Sequence, residues 1–223
     1  MTSEFLAAVK EGDRGAVERM LEADPGLVSA RDVGGASAVL LAYYYGRAEI
    51  IEALLARGPH LDVFEASTAG DLARVRELVA ADGSLVNASA PDGFSPLGLA
   101  AFFRRREIAA HLLAHGADPS APSQNAMNVT PLHSAVADGG DAELARMLIT
   151  AGSDVNARQR HGWTPLHGAA DGGDPELVRL LLARGADPNA RNDNGDTPLD
   201  VAREKRHVEA AALIHHAMTE RKR

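Results

Sequence analysis

The sequence contains no cysteine, and only nine of its 223 residues are aromatic: five Phe, three Tyr and one Trp. Without cysteine there is no disulfide scaffold, no thiolate metal site, no thiol nucleophile and no cysteine-attached haem. The scarcity of rings argues against sheet sandwiches, which favour aromatic and β-branched residues. No apolar run approaches the roughly 18 residues that a membrane helix needs. The opening MTSEFLAAVKEGD carries an acid at Glu4 and only a brief apolar stretch, unlike a secretory leader. The protein is therefore expected to be cytoplasmic, with no membrane partner. Positive charge is in short supply as well. Residues 1–89 carry 8 basic and 14 acidic side chains (net −6), and the whole chain has a formal charge of −8. Neither half offers the basic footprint that phosphate neutralisation requires, which argues against nucleic acid as the main partner. There is no Gly-Lys pair, no G-x-G-x-x-G, no H-E-x-x-H and no G-x-S-x-G, so the common phosphate, zinc-protease and serine-hydrolase signatures are missing.

What is present in quantity is alanine. There are 42 Ala, 25 Leu and 15 Val, and hydrophobic residues make up 45% of the chain. Alanine has the highest helix propensity and little bulk, so this composition predicts helices packed with their backbones close together. The alanines also recur in register. Residues 160–190 read RHGWTPLHGAADGGDPELVRLLLARGADPNA, and 127–157 read MNVTPLHSAVADGGDAELARMLITAGSDVNA, with one residue inserted at Gly139-Gly140. Residues 92–121, 194–214 and 34–58 repeat the sentence less closely, while 5–30 and 63–88 match each other and lack the TPLH opening. The turn between the two helices of each unit falls at Gly12, Gly46, Gly70, Arg104, Gly139, Gly173 and Arg206. The one short step, from Gly46 to Gly70, marks a third unit that has lost the loop before its first helix. Local chemistry accounts for the pattern. Thr164 can cap a helix N-terminus, Pro165 loses no needed donor at the first helical position, and Gly185 can end the second helix in the left-handed conformation. Leu177, Val178, Leu181 and Leu182 form an apolar stripe that one unit cannot bury alone and a stack of units can.

A T-P-L-H-x-A core at a period near 33 resembles the ankyrin repeat, and the resemblance covers nearly the whole chain. It implies an all-α fold: an ankyrin-repeat solenoid of stacked helix–turn–helix units with hairpin fingers. The expected organisation is a single domain, 1–223, of seven repeats at about 1–31, 32–60, 61–89, 90–122, 123–157, 158–190 and 191–223, the first and last acting as caps. It also implies a non-enzymatic protein–protein interaction module (a scaffold, adaptor or inhibitor) that takes no cofactor and binds an unidentified protein on the concave face formed by the fingertips and first helices. Six of the nine aromatics map to that face: Tyr44, Tyr45, Phe94, Phe102, Phe103 and Trp163. Thr68 and Ala69 of the third unit map there too, as do Val33, Asp92, Arg160 and His161. The expected partner-binding residues are the six aromatics with Arg160 and His161, centred on repeats two, four and six. Tyr43 sits at a position that is normally small and buried, and is read as core.

Other candidates compete. The fifth finger, Ser120 to Val129, is two residues longer than its neighbours and puts Gln124, Asn125, Ala126 and Met127 at an extended tip. An alternative function is a small-molecule-binding or enzymatic role through that finger, since long loops often carry function. Another is anionic-ligand binding through Arg104, Arg105 and Arg106, because Arg suits bidentate recognition of carboxylate or phosphate. Lesser basic clusters lie at Arg203, Lys205 and Arg206 and in the tail Arg221-Lys222-Arg223. His111 and His115 have the i, i+4 spacing of a metal pair but no third ligand. His133 and His167 occupy one repeat position, where the resemblance implies hydrogen bonds to the hairpin and the adjacent repeat. The acidic groups Asp138–Asp141 and Asp171–Asp174 coincide with turns and lack the calcium-loop pattern, so no metal is expected. Arg104 and Arg206 stand where glycine is expected and should cost about 1 kcal/mol each if they keep the left-handed conformation.

Overall fold

The computed structural model describes residues 1–220, so the basic tail Arg221-Lys222-Arg223 lies outside the described residues. The chain folds as fourteen α-helices in antiparallel pairs, with no named strand among the described residues. The pairs are α1 (Thr2–Glu11) with α2 (Arg14–Ala23), α3 (Ala38–Tyr44) with α4 (Ala48–Leu55), α5 (Val63–Ala69) with α6 (Leu72–Ala81), and α7 (Pro96–Phe102) with α8 (Arg106–Ala114). They continue with α9 (Pro131–Val136) and α10 (Ala142–Thr150), α11 (Pro165–Gly172) and α12 (Pro175–Ala183), and α13 (Pro198–Glu204) and α14 (Val208–Glu220). Each odd-numbered helix packs on the next odd-numbered one, forming an inner layer. The even-numbered helices form the outer layer, where α4 and α6 are the least closely packed consecutive pair.

The inner helices are short and rich in small residues, which is why they stack closely. In α11, Ala169 and Ala170 are fully buried, and in α7 so are Ala100 and Ala101. The outer helices supply the bulk of the core: Leu112, Leu144, Leu148, Leu177 and Leu181 are completely buried. Each such leucine contributes about 2 kcal/mol relative to exposure. These side chains join one continuous apolar core running from Phe5 to Ile214.

Fingers precede α3, α7, α9, α11 and α13, each closed by a backbone bond across its base. Asp32 N–H donates to Ala36 O, Ala90 to Phe94, Gln159 to Trp163 and Asn192 to Asp196 at 2.9–3.0 Å, and Ser123 to Val129 at 2.8 Å. The third unit replaces this device. Helix α5 begins with a capping box in which Asp62 Oδ1 accepts from Phe64 and Glu65 N–H and Glu65 Oε2 accepts from Asp62 N–H. Arg31 then donates to both carboxylates, at 3.0 and 3.1 Å, tying the second finger to the fingerless unit.

The turns behave as the repeat alignment requires. Gly12, Gly46, Gly70, Gly139 and Gly173 all have positive φ, and so do Arg104 (55°) and Arg206 (63°). The exposed Arg206 side chain has no hydrogen bond or ion pair among the described residues. Arg206→Gly is therefore expected to stabilise the fold by about 1 kcal/mol, raising Tm by roughly 2–4 °C in a thermal melt. Arg104→Gly should gain less, because Arg104 Nη2 donates to Asp138 O at 2.7 Å. An unchanged or lowered Tm for Arg206→Gly would show that the left-handed arginine carries no strain.

Candidate functional site

Helix α3 is buried through Ala42 and then emerges, leaving Tyr43 half-buried, Tyr44 37% exposed and Tyr45 49% exposed. Helix α7 ends in the same way, with Phe102 44% exposed and Phe103 half-buried. The two ends meet. Phe103 lies edge-on to Tyr43 (centroids 5.6 Å), tilted against Tyr44 (5.9 Å) and edge-on to Phe102 (5.1 Å). These spacings are those of favourable aromatic pairs.

Helices α3 and α7 belong to the second and fourth units, so a whole unit lies between them. Two features of the third unit let them touch. Its inner helix carries small Ser67, Thr68 and Ala69 towards its C-terminal end, and it has no finger. The second finger accordingly lies directly against the fourth, where a Cβ on Gly35 would sit 2.7 Å from Pro91 Cβ. The Tyr44 hydroxyl donates to Asp92 Oδ2, 48 residues away, while Asp92 Oδ1 accepts from Phe94 N–H. Partial burial first, and then the Asp92 carboxylate, push the Tyr44 hydroxyl well above the usual phenol range. Thr68 does not line an open face as its sequence position suggested. It is fully buried, and its carbonyl accepts from Arg105 Nε at 2.8 Å. The Arg105 guanidinium in turn sits 5.8 Å from the centre of the Tyr43 ring, a cation–π contact that the sequence did not signal.

The remaining mapped residues lie elsewhere. Phe94 is half-buried at the base of the fourth finger. Trp163 is half-buried with its ring 5.7 Å from His167, and no ring contact joins it to the Tyr–Phe cluster. The expected centre on repeats two, four and six thus becomes a cluster on two and four with a separate ring on six. Arg160 and His161 are exposed, and their backbones serve the finger stack: Arg160 N–H donates to Met127 O and His161 O accepts from Asp193 N–H.

The competing candidates are largely engaged in structure. Arg105 is used as above, Arg104 reaches Asp138 O, and Arg106 grips Asp141 through two bonds of 2.7 and 2.8 Å. Burial alone would raise the Asp141 carboxyl, but Arg106 and the Leu144 N–H outweigh it and hold the group below its ordinary value. The three arginines therefore pin the fourth unit to its neighbours. In the fifth finger the Asn125 amide donates to Asp92 O, and its Oδ1 accepts from Ser123 Oγ and Met127 N–H. Gln124, Ala126 and Met127 are the exposed part of that tip.

His133 and His167 do what the resemblance implied. The His133 Nδ1 accepts from Thr130 N–H in its own finger, and its Nε2 donates to Trp163 O in the next. His167 pairs in the same way with Thr164 and Asp196 O. Burial pushes His133 down to about 4, against the weaker pull of the Trp163 carbonyl, and lowers His167 also. The His111 and His115 rings lie 4.0 Å apart, with His115 Nδ1 bonded back to His111 O. No group of three or more His, Cys, Asp or Glu among the described residues could hold a metal ion. Asp141 and Asp174 cap helices, and Asp171 pairs with Lys205 at 3.1 Å. No helix among the described residues is long and apolar enough to cross a membrane.

Comparison with known proteins agrees with this architecture. A family model for ankyrin repeats in three copies matches residues 5–123, 63–159 and 132–221. A 50-residue stretch, 22% of the chain, is 44% identical to the mouse RelA-associated inhibitor. The match spans 6% of that protein's length. Because the family model's matches together span residues 5–221, the chain belongs to the ankyrin-repeat family.

Proposed function

We propose that this protein is a non-enzymatic interaction module, a scaffold, adaptor or inhibitor, whose partner docks on the Tyr–Phe cluster shared by the second and fourth repeats. Ankyrin repeats generally mediate protein–protein interaction, and similarity to a stretch of a protein named as an inhibitor favours the inhibitor or adaptor reading. The observation that carries the proposal is the patch itself. Tyr44, Tyr45 and Phe102 stay exposed in a chain that buries most of its apolar bulk, and the half-buried Phe103 ring packs against Tyr44 and Phe102. Exposed apolar clusters of this kind mark binding sites, and rigid aromatic anchors dominate their energetics. Trp163, Phe94, Arg160 and His161, which lie apart from the cluster, form a secondary contact region in this reading, and no cofactor takes part.

The test is affinity capture from a cytosolic extract with wild type and with a Tyr45→Ala/Phe102→Ala variant, both positions being exposed. The variant should keep its helical circular dichroism and lose its specific partner by at least about tenfold in affinity, equivalent to about 1.4 kcal/mol. Retention of every wild-type partner by the folded variant would remove the cluster from consideration.

A further inference from the structure

The outer layer is weakest between the second and third repeats. Where α4 and α6 fail to pack closely, a cavity of about 490 Å³ opens, lined by Leu55, Pro59, His60, Leu61, Asp71 and Arg74. The connector across this junction, residues 56–62, turns at Gly58, where an added Cβ would meet nothing. Hinges form at a few loop residues of this kind, where little buried apolar area resists movement. Helix α5 adds to the weakness. It buries the hydroxyls of Ser67 and Thr68, neither of which has a hydrogen-bond partner among the described residues. Buried unpaired hydroxyls oppose the packing of the helix that carries them. The junction is spanned instead by contacts among inner helices and fingers. Arg31 reaches Asp62 and Glu65, the Tyr44 hydroxyl reaches Asp92, and Tyr43 and Tyr44 meet Phe103. Arg31 and Tyr44 are both exposed, and exposed polar links are individually weak. The cavity lies beside the outer helices, and α3 rests on α5 between the cavity and these links.

We propose that this junction is a hinge between two blocks, residues 1–57 and 62–220, and that the Tyr–Phe cluster is its latch. Rotation of the first block about α5 brings α4 onto α6 and draws Tyr43 and Tyr44 away from Phe103 and Asp92. Packing between outer helices then replaces the latch, so the junction has two arrangements. The assembled aromatic surface exists only in the latched one. A ligand that binds one of two arrangements shifts the equilibrium towards it. A partner seated on the cluster therefore holds the two blocks together, a step that rests on the docking proposed for that cluster.

Because the chain has no cysteine, introduced cysteines take spin labels without competition. Arg19→Cys in α2 with Ala110→Cys in α8 labels exposed positions on different blocks. Ala110→Cys with Ala183→Cys in α12 labels two exposed positions within the second block. With no other change, pulsed electron paramagnetic resonance should give one main distance for each pair. Arg31→Met combined with Tyr44→Phe removes both polar links and keeps the rings. In that variant the first pair should gain a component at shorter distance, while the second pair stays unchanged and shows that the fold is intact. NMR cross-peaks between the Tyr43 and Phe103 rings should weaken in step. A first-pair distance that does not shift, or one that shortens with the ring cross-peaks intact, would overturn the proposal. So would a change in both pairs, which would mean general loosening. All distances are read on the free chain, so the hinge can fail while Tyr45→Ala/Phe102→Ala still loses its partner, and the reverse.

Discussion

Gly140→Ala is expected to destabilise the protein by about 3 kcal/mol, while Gly139→Ala, one residue earlier, costs only about 1 kcal/mol. The fifth unit carries one more residue in its turn than its neighbours, and the turn absorbs it by running Asp138, Gly139 and Gly140 through the left-handed region at φ of 50°, 81° and 58°. A side chain at either glycine meets the left-handed strain of about 1 kcal/mol. Only Gly140 also faces the core. A Cβ there would lie 2.3 Å from Leu177 Cδ1, 3.1 Å from Ala135 O and 3.2 Å from Val136 Cα, whereas nothing lies within 4 Å of one on Gly139. Leu177 is fully buried and so has nowhere to move. Overpacking of this kind adds roughly 1–3 kcal/mol. Urea unfolding monitored by circular dichroism, at constant m, gives both values in one series. Equal midpoints for the two variants would mean that Leu177 repacks freely and that the fifth and sixth units are less tightly joined than their geometry indicates.

Acid is expected to remove about 2 kcal/mol of stability between pH 7 and pH 5 through His133 alone, with His167 adding to the loss. Both imidazoles are buried with one nitrogen accepting from a finger and the other donating to the next, an arrangement that only the neutral ring satisfies. The folded value of His133 is about 4, against about 6.5 in the unfolded chain. Its contribution is therefore complete above 6.5 and lost as pH falls from 6.5 towards 4, because the unfolded chain takes up the proton first. Asp141 and Asp200 also have lowered values, but carboxylates of this kind lose their contribution only below about 4, outside this window. Urea midpoints at pH 7 and pH 5 check the sign and size. His133→Gln should be less stable at pH 7 yet lose less between the two pH values. A wild-type midpoint that stays level or rises from pH 7 to 5 would contradict the burial of these rings in their neutral form.

Much of this molecule was legible in one dimension. The TPLH segments marked helix starts, and the alanine and leucine spacing marked the inner and outer faces. Seven turn positions were identified, down to the two arginines held at positive φ. Each of these features depends on a residue and its neighbours within one repeat or the next, so periodicity reports it directly. Periodicity placed His133 and His167 at one repeat position, while their bonds to the hairpin and the adjacent repeat were legible only through the family resemblance.

The sequence by itself determined the helix-pair solenoid, the seven turns and the fact that the scarce aromatics concentrate at the ends of inner helices. Only the tertiary structure decided what those aromatics do. Losing one finger changes which units are neighbours, and this brings Tyr43 and Tyr44 against Phe103, and Tyr44 onto Asp92, across a repeat that periodic reasoning places between them. The same closure buries Thr68 and commits Arg105 to its carbonyl, while Arg104 and Arg106 are drawn into the next turn. A basic run that reads as free charge thereby becomes three inter-repeat bonds. The physical reason is that repeat patterns encode contacts between units in sequence order, whereas a deletion creates contacts between units that are not.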